Sequence, residues 1–322
     1  MVISVNKKVV VLGGGTGLST LLRGLKQFPL DITAVVSVSD DGSSTGRLRE
    51  EFNIPAIGDL RNVMVSLSEV EPILEQLLQY RFHTNSDLNG HPVGNLLLAS
   101  MLDITGNMVD AVESFTKILN IKGKILPFTE EQTTLMAETS NGEILEGESN
   151  ITKAGKIIKK IYYKDTPKVV PEVIDAILNS DLIVFSTGSL YTSILPNIIC
   201  EEMTDAIKKS KAKKMYVCNI MTEHGETDNF KVSDYIKVLN KYVGQNFLDA
   251  VIVNSKYVDI DIQDKYKKLE KSEPVLIDKK EIDKLNVEII SDNLLSINKN
   301  NQVRHNSMKT AFLIFSYLLR ED

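Results

Sequence analysis

Hydrophobic and polar positions follow a repeating order along most of the chain. Short apolar runs at residues 9–12, 32–38 and 182–185 have the length and β-branched content of strands that are buried on both faces of a parallel sheet. The first run is followed by leucines at helical spacing over residues 18–25, and later runs are followed by similar segments. The pattern predicts an α/β fold with a doubly wound, mainly parallel sheet.

Residues 122–165 interrupt this order. They carry short alternating runs separated by turns, and Asn141-Gly142 lies between two such runs, which is a strong signal for a two-residue β-hairpin. We therefore predict one domain over residues 1–322 with a small β-rich insertion at 122–165.

A glycine-rich turn follows the first strand and contains Gly13, Gly14, Gly15, Thr16 and Gly17. Missing Cβ atoms at a strand-to-helix turn allow backbone N–H groups to approach an anion at the helix N-terminus. No Lys-Ser/Thr pair closes a Walker-type loop, and the spacing differs from the usual dinucleotide motif. The alternative is a tight turn whose glycines serve only packing.

The loop after the second strand is rich in acids and hydroxyl groups and includes Asp40, Asp41, Ser44 and Arg47. Two adjacent carboxylates at a strand end are suited to hold Mg²⁺ through phosphate oxygens and water, and Arg47 is suited to neutralise a diphosphate. The alternative is a capped turn in which both carboxylates bind local N–H groups.

Two further helix starts carry candidate ligand contacts. Asp59, Arg61 and Asn62 fall in one first turn, where an arginine is unfavourable unless an anion is bound. His91 and Asn95 precede another helix, and a phosphate-facing role for His91 competes with a purely structural one. Asn95 either caps this helix or contacts ligand.

Polar loops after later strands are predicted to join the same site, because the carboxyl ends of parallel strands meet at one edge of the sheet. Tyr266 either stacks on a base or packs in the core, and a cation at position 304 is placed to meet a phosphate. The candidate binding residues from these segments are Gly188, Ser189, Tyr191, Thr192, Asn219, Thr222, Tyr266 and Arg304.

The amino-acid composition limits the kinds of ligand and the cellular compartment that we expect for this protein. The net charge of −6 argues against a broad nucleic-acid-binding or anionic-membrane surface. Two cysteines give no disulfide framework, no secretory signal is recognisable at the N-terminus, and the apolar stretch at residues 311–319 is too short to cross a bilayer. We expect a cytoplasmic protein without membrane insertion that binds small molecules and forms a homo-oligomer.

Six motifs in combination identify a family resemblance. They read GGGTGLSTLLRGLK, SVSDDGSSTGRLR, GDLRN, GHPVGNLLLAS, STGSLYTSILPN and YVCNIMTEHGETDNF. The chain resembles the YvcK/CofD superfamily over residues 8–320, and within it the gluconeogenesis factors. The resemblance implies a Rossmann-like sheet, binding of a UDP-sugar, NAD(P) or a GDP-type nucleotide, and a role in carbon-source adaptation and cell shape.

The resemblance leaves two functional expectations. One is a regulator that binds a nucleotide, has no tightly bound organic cofactor and acts through protein partners. The other is a transferase like CofD, which moves phospholactate from a guanosine-diphosphate-activated donor with Mg²⁺ held by an acidic loop similar to Asp40-Asp41. The chain departs from the motifs of the gluconeogenesis factors at two places, Ser186-Thr187-Gly188 and Glu223-His224-Gly225. In each of them another residue stands where those motifs have a proline.

Overall fold

The computed structural model describes residues 6–69, 72–298 and 301–320. The strands are β1 (Lys7–Gly13), β2 (Leu30–Val36), β3 (Lys124–Pro127), β4 (Leu135–Thr139), β5 (Ile144–Glu146), β6 (Ile158–Tyr163), β7 (Leu182–Phe185), β8 (Lys213–Val217), β9 (Ala250–Asn254), β10 (Glu288–Asp292), β11 (Leu295–Ile297) and β12 (Val303–His305).

Helices connect most of these strands. They are α1 (Gly15–Leu25), α2 (Ser43–Phe52), α3 (Gly58–Leu67), α4 (Pro72–Gln79), α5 (Val93–Thr105), α6 (Met108–Ile118), α7 (Glu148–Ala154), α8 (Pro171–Leu178), α9 (Glu201–Lys209), α10 (Val232–Val243), α11 (Ile260–Leu269), α12 (Lys279–Asp283) and α13 (Ser307–Leu318). A π-helical turn (Leu190–Ile194) and a 3-10 turn (Leu195–Asn197) precede α9.

Seven strands form one parallel sheet in the order β10-β9-β8-β7-β1-β2-β3. The chain runs outward from β1 to β3 and then returns to β7 on the other side of β1. The topological switch point therefore lies between β1 and β7, where ligands bind in open α/β sheets. This arrangement confirms the predicted α/β, doubly wound, Rossmann-like fold.

Alternate residues of the central strands enter two separate hydrophobic cores. Val9 and Val11 of β1 pack in one core, and Val10 and Leu12 pack in the other. Both faces of the sheet are covered, which explains why β1 is an unbroken apolar run instead of an alternating one.

The insertion is smaller than predicted. The strand β3 pairs in parallel with β2 and belongs to the main sheet, so residues 122–127 are not part of a separate unit. Beyond them, β4 pairs antiparallel with β5 and β6, and α7 follows β5. The β4–β5 turn contains Gly142 with a φ of +84°, which confirms the Asn-Gly hairpin.

A second small hairpin, β11–β12, lies outside the main sheet. Its strand β12 is fixed by the Val303 N–H group, which donates to Tyr266 Oη at 2.7 Å, and His305 Nε2 lies 3.1 Å from the carbonyl oxygen of Cys218. Sequence patterning did not predict this hairpin. Within the three described ranges, no helix has the length and apolar character needed to cross a membrane.

Candidate functional site

The glycine turn leaves the N-terminus of α1 open. Gly14 is the N-cap residue and offers no side-chain hydrogen bond, and the first turn of α1 contains no acid. Gly15 has a φ of +59°, in the region that favours glycine. At Gly17 a Cβ atom would lie only 2.1 Å from the carbonyl oxygen of Thr187, so this glycine is required for the close approach of the two loops.

The loop after β7 is held to the loop after β8 by one asparagine. The Gly188 N–H group donates to Asn219 Oδ1 at 3.1 Å, and Asn219 Nδ2 donates to the carbonyl oxygen of Gly188 at 2.8 Å. Gly188 has a φ of +140°. Because both polar ends of its amide are engaged, Asn219 positions the Gly188 loop.

These loops enclose a cavity of about 340 Å³ at the switch point, which we call the switch-point cleft. Ten predicted binding residues line it. They are Gly14, Gly15, Thr16, Gly17, Gly188, Ser189, Asn219, Thr222, Tyr266 and Arg304. The structure therefore brings together residues that are almost three hundred positions apart in the sequence.

One wall of the switch-point cleft is formed by β12 and α11. Tyr266 is buried. Among the residues that the structure describes, Arg304 bonds to its own hairpin alone, to the Val303 carbonyl oxygen at 2.8 Å and to Gln302 Oε1 at 3.2 Å. A guanidinium has five N–H donors, so Arg304 keeps donors for a ligand. Burial lowers the pKa of His305 to about 4, so this residue is neutral at pH 7.

An acidic chamber of about 390 Å³ adjoins the cleft and shares Ser189, Thr222 and Glu223 with it. Burial and nearby carboxylates raise the pKa of Glu148 to about 7, and burial and Glu226 raise the pKa of Glu223 to about 8. The Ser189 hydroxyl donates to the buried Glu226 carboxylate. Glu148 comes from α7, so the insertion contributes to the site.

Asp40 and Asp41 are partly engaged by backbone groups. The Gly42 N–H group donates to Asp40 Oδ1 at 2.9 Å, and the Ser149 N–H group donates to Asp41 Oδ1 at 2.8 Å. In the described part of the chain the other oxygen of each carboxylate accepts no hydrogen bond, so it remains for another partner. Among the described residues, no group of three or more His, Cys, Asp or Glu side chains has the arrangement of a metal site. Magnesium would need oxygens from a bound phosphate as well.

A second group of predicted residues forms a continuous hydrogen-bonded chain. Arg61 Nε donates to Asn95 Oδ1 at 3.0 Å, Asn95 Nδ2 donates to Ser44 Oγ at 3.2 Å, and Ser44 Oγ lies 2.8 Å from His91 Nδ1. The chain links the first turns of α2, α3 and α5. We call these four side chains the Arg61 cluster.

Asp59 lies between the two groups. Its Oδ2 atom is 2.6 Å from the position of a Cβ atom built on Gly14, so its carboxylate lies against the glycine turn. Burial and the nearby Asp40 raise the pKa of Asp59 to about 7, although hydrogen bonds from the Gly15 backbone and the Asn62 side chain oppose the shift.

Twelve of the predicted residues do not line the switch-point cleft. Eight of these are Asp40, Asp41, Asp59, Asn62 and the four residues of the Arg61 cluster, and the other four are Gly13, Arg47, Tyr191 and Thr192. Arg47 donates to the carbonyl oxygens of Asp87 and Asn89. Tyr191 is buried in the hydrophobic core, Thr192 lines the acidic chamber, and the Gly13 carbonyl oxygen accepts from Ser37 and Asn197. The sequence analysis missed Glu148, Glu223 and Glu226; for the last two, their position in a polar loop after β8 was an available signal.

A third cavity of about 610 Å³ lies beyond Asn219 and Ile220, which it shares with the switch-point cleft. Its walls include apolar residues such as Val253 and Val258. The carboxyl edge of the sheet therefore offers a polar space next to a more apolar one.

The fold and the cleft define the class of protein: a doubly wound α/β protein with an open glycine turn at its topological switch point. A family profile described as 2-phospho-L-lactate transferase CofD matches residues 9–295. The chain therefore belongs to the CofD family, and the relatives below place it among the gluconeogenesis factors of that family.

The gluconeogenesis factor of Bacillus subtilis strain 168 is 45% identical and covers 97% of this chain and 98% of its own length. That of Halalkalibacterium halodurans is 47% identical, with coverages of 95% and 94%. A crystal structure from Bacillus halodurans superposes with a TM-score of 0.93 at 46% identity and covers 96% of this chain and 99% of its own.

Proposed function

We propose that the protein is a cytoplasmic regulator that binds a nucleoside diphosphate, either a UDP-sugar or a dinucleotide. The observation that carries the proposal is the open N-terminus of α1 at the switch point. The Gly15 N–H group already donates to Asp59, and the other N–H groups of the first turn, together with the positive end of the helix dipole, attract a diphosphate there. Arg304 supplies a cation in the opposite wall of the same cleft.

The same cleft offers groups for the rest of a nucleotide. Tyr266 provides an aromatic wall, and the acidic chamber next to Ser189 presents carboxylates and hydroxyl groups, which bind the hydroxyl groups of a sugar. The name of the relatives, gluconeogenesis factor, supports a role of this binding in adaptation to carbon source. We extend the proposal to cell morphogenesis and to action through protein partners.

A transferase of the CofD type is the second candidate. The acidic chamber favours it, because carboxyl groups with pKa values near 7 and 8 suit proton transfer at neutral pH. The free oxygens of Asp40 and Asp41 would then share Mg²⁺ with the diphosphate of a donor.

Calorimetry with UDP-glucose, NAD and GDP, each with and without Mg²⁺ and followed by product analysis, separates the two candidates. The regulator binds a UDP-sugar or NAD and leaves it intact, whereas the transferase consumes a diphosphate donor only when Mg²⁺ is present. If none of the three nucleotides binds, the proposal fails.

The Arg304→Ala variant tests the role of the cation. Loss of a charge-assisted hydrogen bond should weaken binding of the nucleotide by about 1.5–3 kcal/mol with little change in thermal stability. Arg23→Ala is the control. Arg23 lies on α1, forms a surface ion pair with Glu75 of α4 at 2.8 Å, and does not line the cleft. Equal affinities for both variants would remove Arg304 from the site.

A further inference from the structure

The Arg61 cluster contains a buried cation with unused donors. Arg61 is only 8% exposed, and its one side-chain hydrogen bond uses Nε. Within the described ranges, no acceptor bonds to its two terminal nitrogens. Burial and the nearby Arg81 lower its pKa to about 10, so the guanidinium still carries its charge at pH 7. A buried charge without a hydrogen-bonded partner destabilises the folded state, and a bound ligand of opposite charge removes this destabilisation.

The three helices that meet here also have open N-termini. The N-cap residues of α2, α3 and α5 are Gly42, Ile57 and Pro92, and no side chain of theirs makes a capping bond. By contrast, Asn107 and Asn306 cap α6 and α13 with their side chains. Three positive helix ends therefore point toward one polar cluster that already holds a cation.

The surroundings of the cluster include two more arginines. Arg47 and Arg81 both act on the charge of His91 and hold the loop over the cluster, with Arg81 donating to the Gly90 carbonyl oxygen at 2.7 Å. The opposing acids are Asp59, next to Arg61, Glu51, next to His91, and Asp40, whose Oδ2 atom lies 3.1 Å from the position of a Cβ atom built on Gly58. Within the described ranges none of these acids accepts a hydrogen bond from Arg61, so its guanidinium is the group left for an anion.

We propose that the first turns of α2, α3 and α5 form a second anion site, separate from the switch-point cleft, in which Arg61 binds a phosphate group. A tetrahedral anion would accept from the two terminal nitrogens of Arg61 and face the helix ends. Inorganic phosphate and the phosphate of a phosphorylated metabolite share this chemistry. The site does not require that the cleft binds a nucleotide.

Thermal unfolding with increasing inorganic phosphate tests the site, with sodium chloride at matched ionic strength as the blank. UDP-glucose is added at saturation to occupy the glycine turn. Phosphate should raise the melting temperature of the native chain, and Arg61→Met should raise the half-saturating phosphate concentration about tenfold or more, the loss expected for a charge-assisted hydrogen bond. The titration is repeated with glycerol phosphate in place of inorganic phosphate. If glycerol phosphate saturates the shift at the lower concentration, the ligand is a phosphorylated metabolite; if inorganic phosphate does, the ligand is free phosphate.

The phosphate-free melting temperatures separate a ligand site from a structural arginine. Arg61→Met should melt at or above the native temperature, because it removes an unpaired buried charge. Arg49→Met is the matched control, since Arg49 donates to the carbonyl oxygens of Asp40 and Thr133. The Arg49→Met variant should have a lower melting temperature than the native chain and should respond to phosphate as the native chain does.

A second variant covers the case in which Arg61→Met does not fold. The Asn95→Asp substitution places a carboxylate where the Asn95 amide oxygen now accepts from Arg61 Nε. The carboxylate neutralises the guanidinium, so this variant should have a higher melting temperature and should no longer respond to phosphate. An unchanged phosphate response in either variant would overturn the proposal. If UDP-glucose causes no shift of its own, the nucleotide proposal fails while the phosphate comparison still decides this one.

Discussion

Asp59 connects the two groups of polar residues, and its protonation state sets the charge beside the glycine turn. Its carboxylate lies against Gly14, on the side where the N-terminus of α1 is open. An ionised Asp59 would repel a diphosphate placed at this turn, and a protonated Asp59 would not. A pKa of about 7 makes this switch occur near neutral pH.

The raised pKa of Asp59 predicts a pH-dependent stability. The folded protein holds this proton up to about pH 7 and the unfolded chain releases it near pH 4, so the free energy of unfolding should fall as pH rises between these values. Urea unfolding at about pH 5 and pH 8 should show a smaller loss for Asp59→Asn than for the native chain. Equal losses in both proteins would contradict the assignment.

Several individual residues could be predicted from the sequence because their signal is local. The glycine turn, Asn219 and Thr222 all follow buried strands, and parallel strands bring their carboxyl ends together. Arg47 could not be placed in this way, since its long side chain reaches the carbonyl groups of a distant loop. Glu148 was missed because only tertiary packing brings the insertion to the switch point.

Among the elements, the long periodic segments were predicted best. The leucines at helical spacing over residues 18–25 lie in α1, and the Asn-Gly turn joins β4 to β5. By contrast, β3 is a four-residue strand whose sequence does not reveal its partner, and β12 has only three residues in a polar stretch. Short strands take their identity from pairing, so local patterning cannot assign them.

The β11–β12 hairpin gives an element-scale prediction. Tyr266→Phe removes the hydroxyl oxygen that accepts from Val303, which should cost about 1 kcal/mol of stability and weaken nucleotide binding, because β12 carries Arg304. Tyr242→Phe is the control, since Tyr242 Oη accepts from the Ile161 N–H group at the same 2.7 Å distance but does not line the cleft.

Unfolding and calorimetric titration of both tyrosine variants provide the comparison. The two variants should lose similar stability, and only Tyr266→Phe should lose affinity for the nucleotide. Loss of affinity in both would mean that the effect comes from general loosening of the fold. Unchanged affinity in both would separate the hairpin from ligand binding.

On the scale of the whole molecule, the sheet order explains why chemistry collects at one edge. The chain leaves β1 in one direction and returns at β7, so the loops after these neighbouring strands diverge and leave the switch-point cleft open between them. The β11–β12 hairpin closes one side of the cleft, and the insertion contributes Glu148 to the adjoining acidic chamber. The central claim is that this cleft receives a diphosphate on the glycine turn.

Hydrogen exchange of backbone amides, measured with and without saturating UDP-glucose, tests that claim most directly. Amides that bind phosphate oxygens exchange more slowly, so slowing should centre on residues 14–17, with further effects at 187–189 and 302–305. Slowing confined to the apolar cavity at residues 253–258 and 274–277, with unchanged exchange at the glycine turn, would contradict the account.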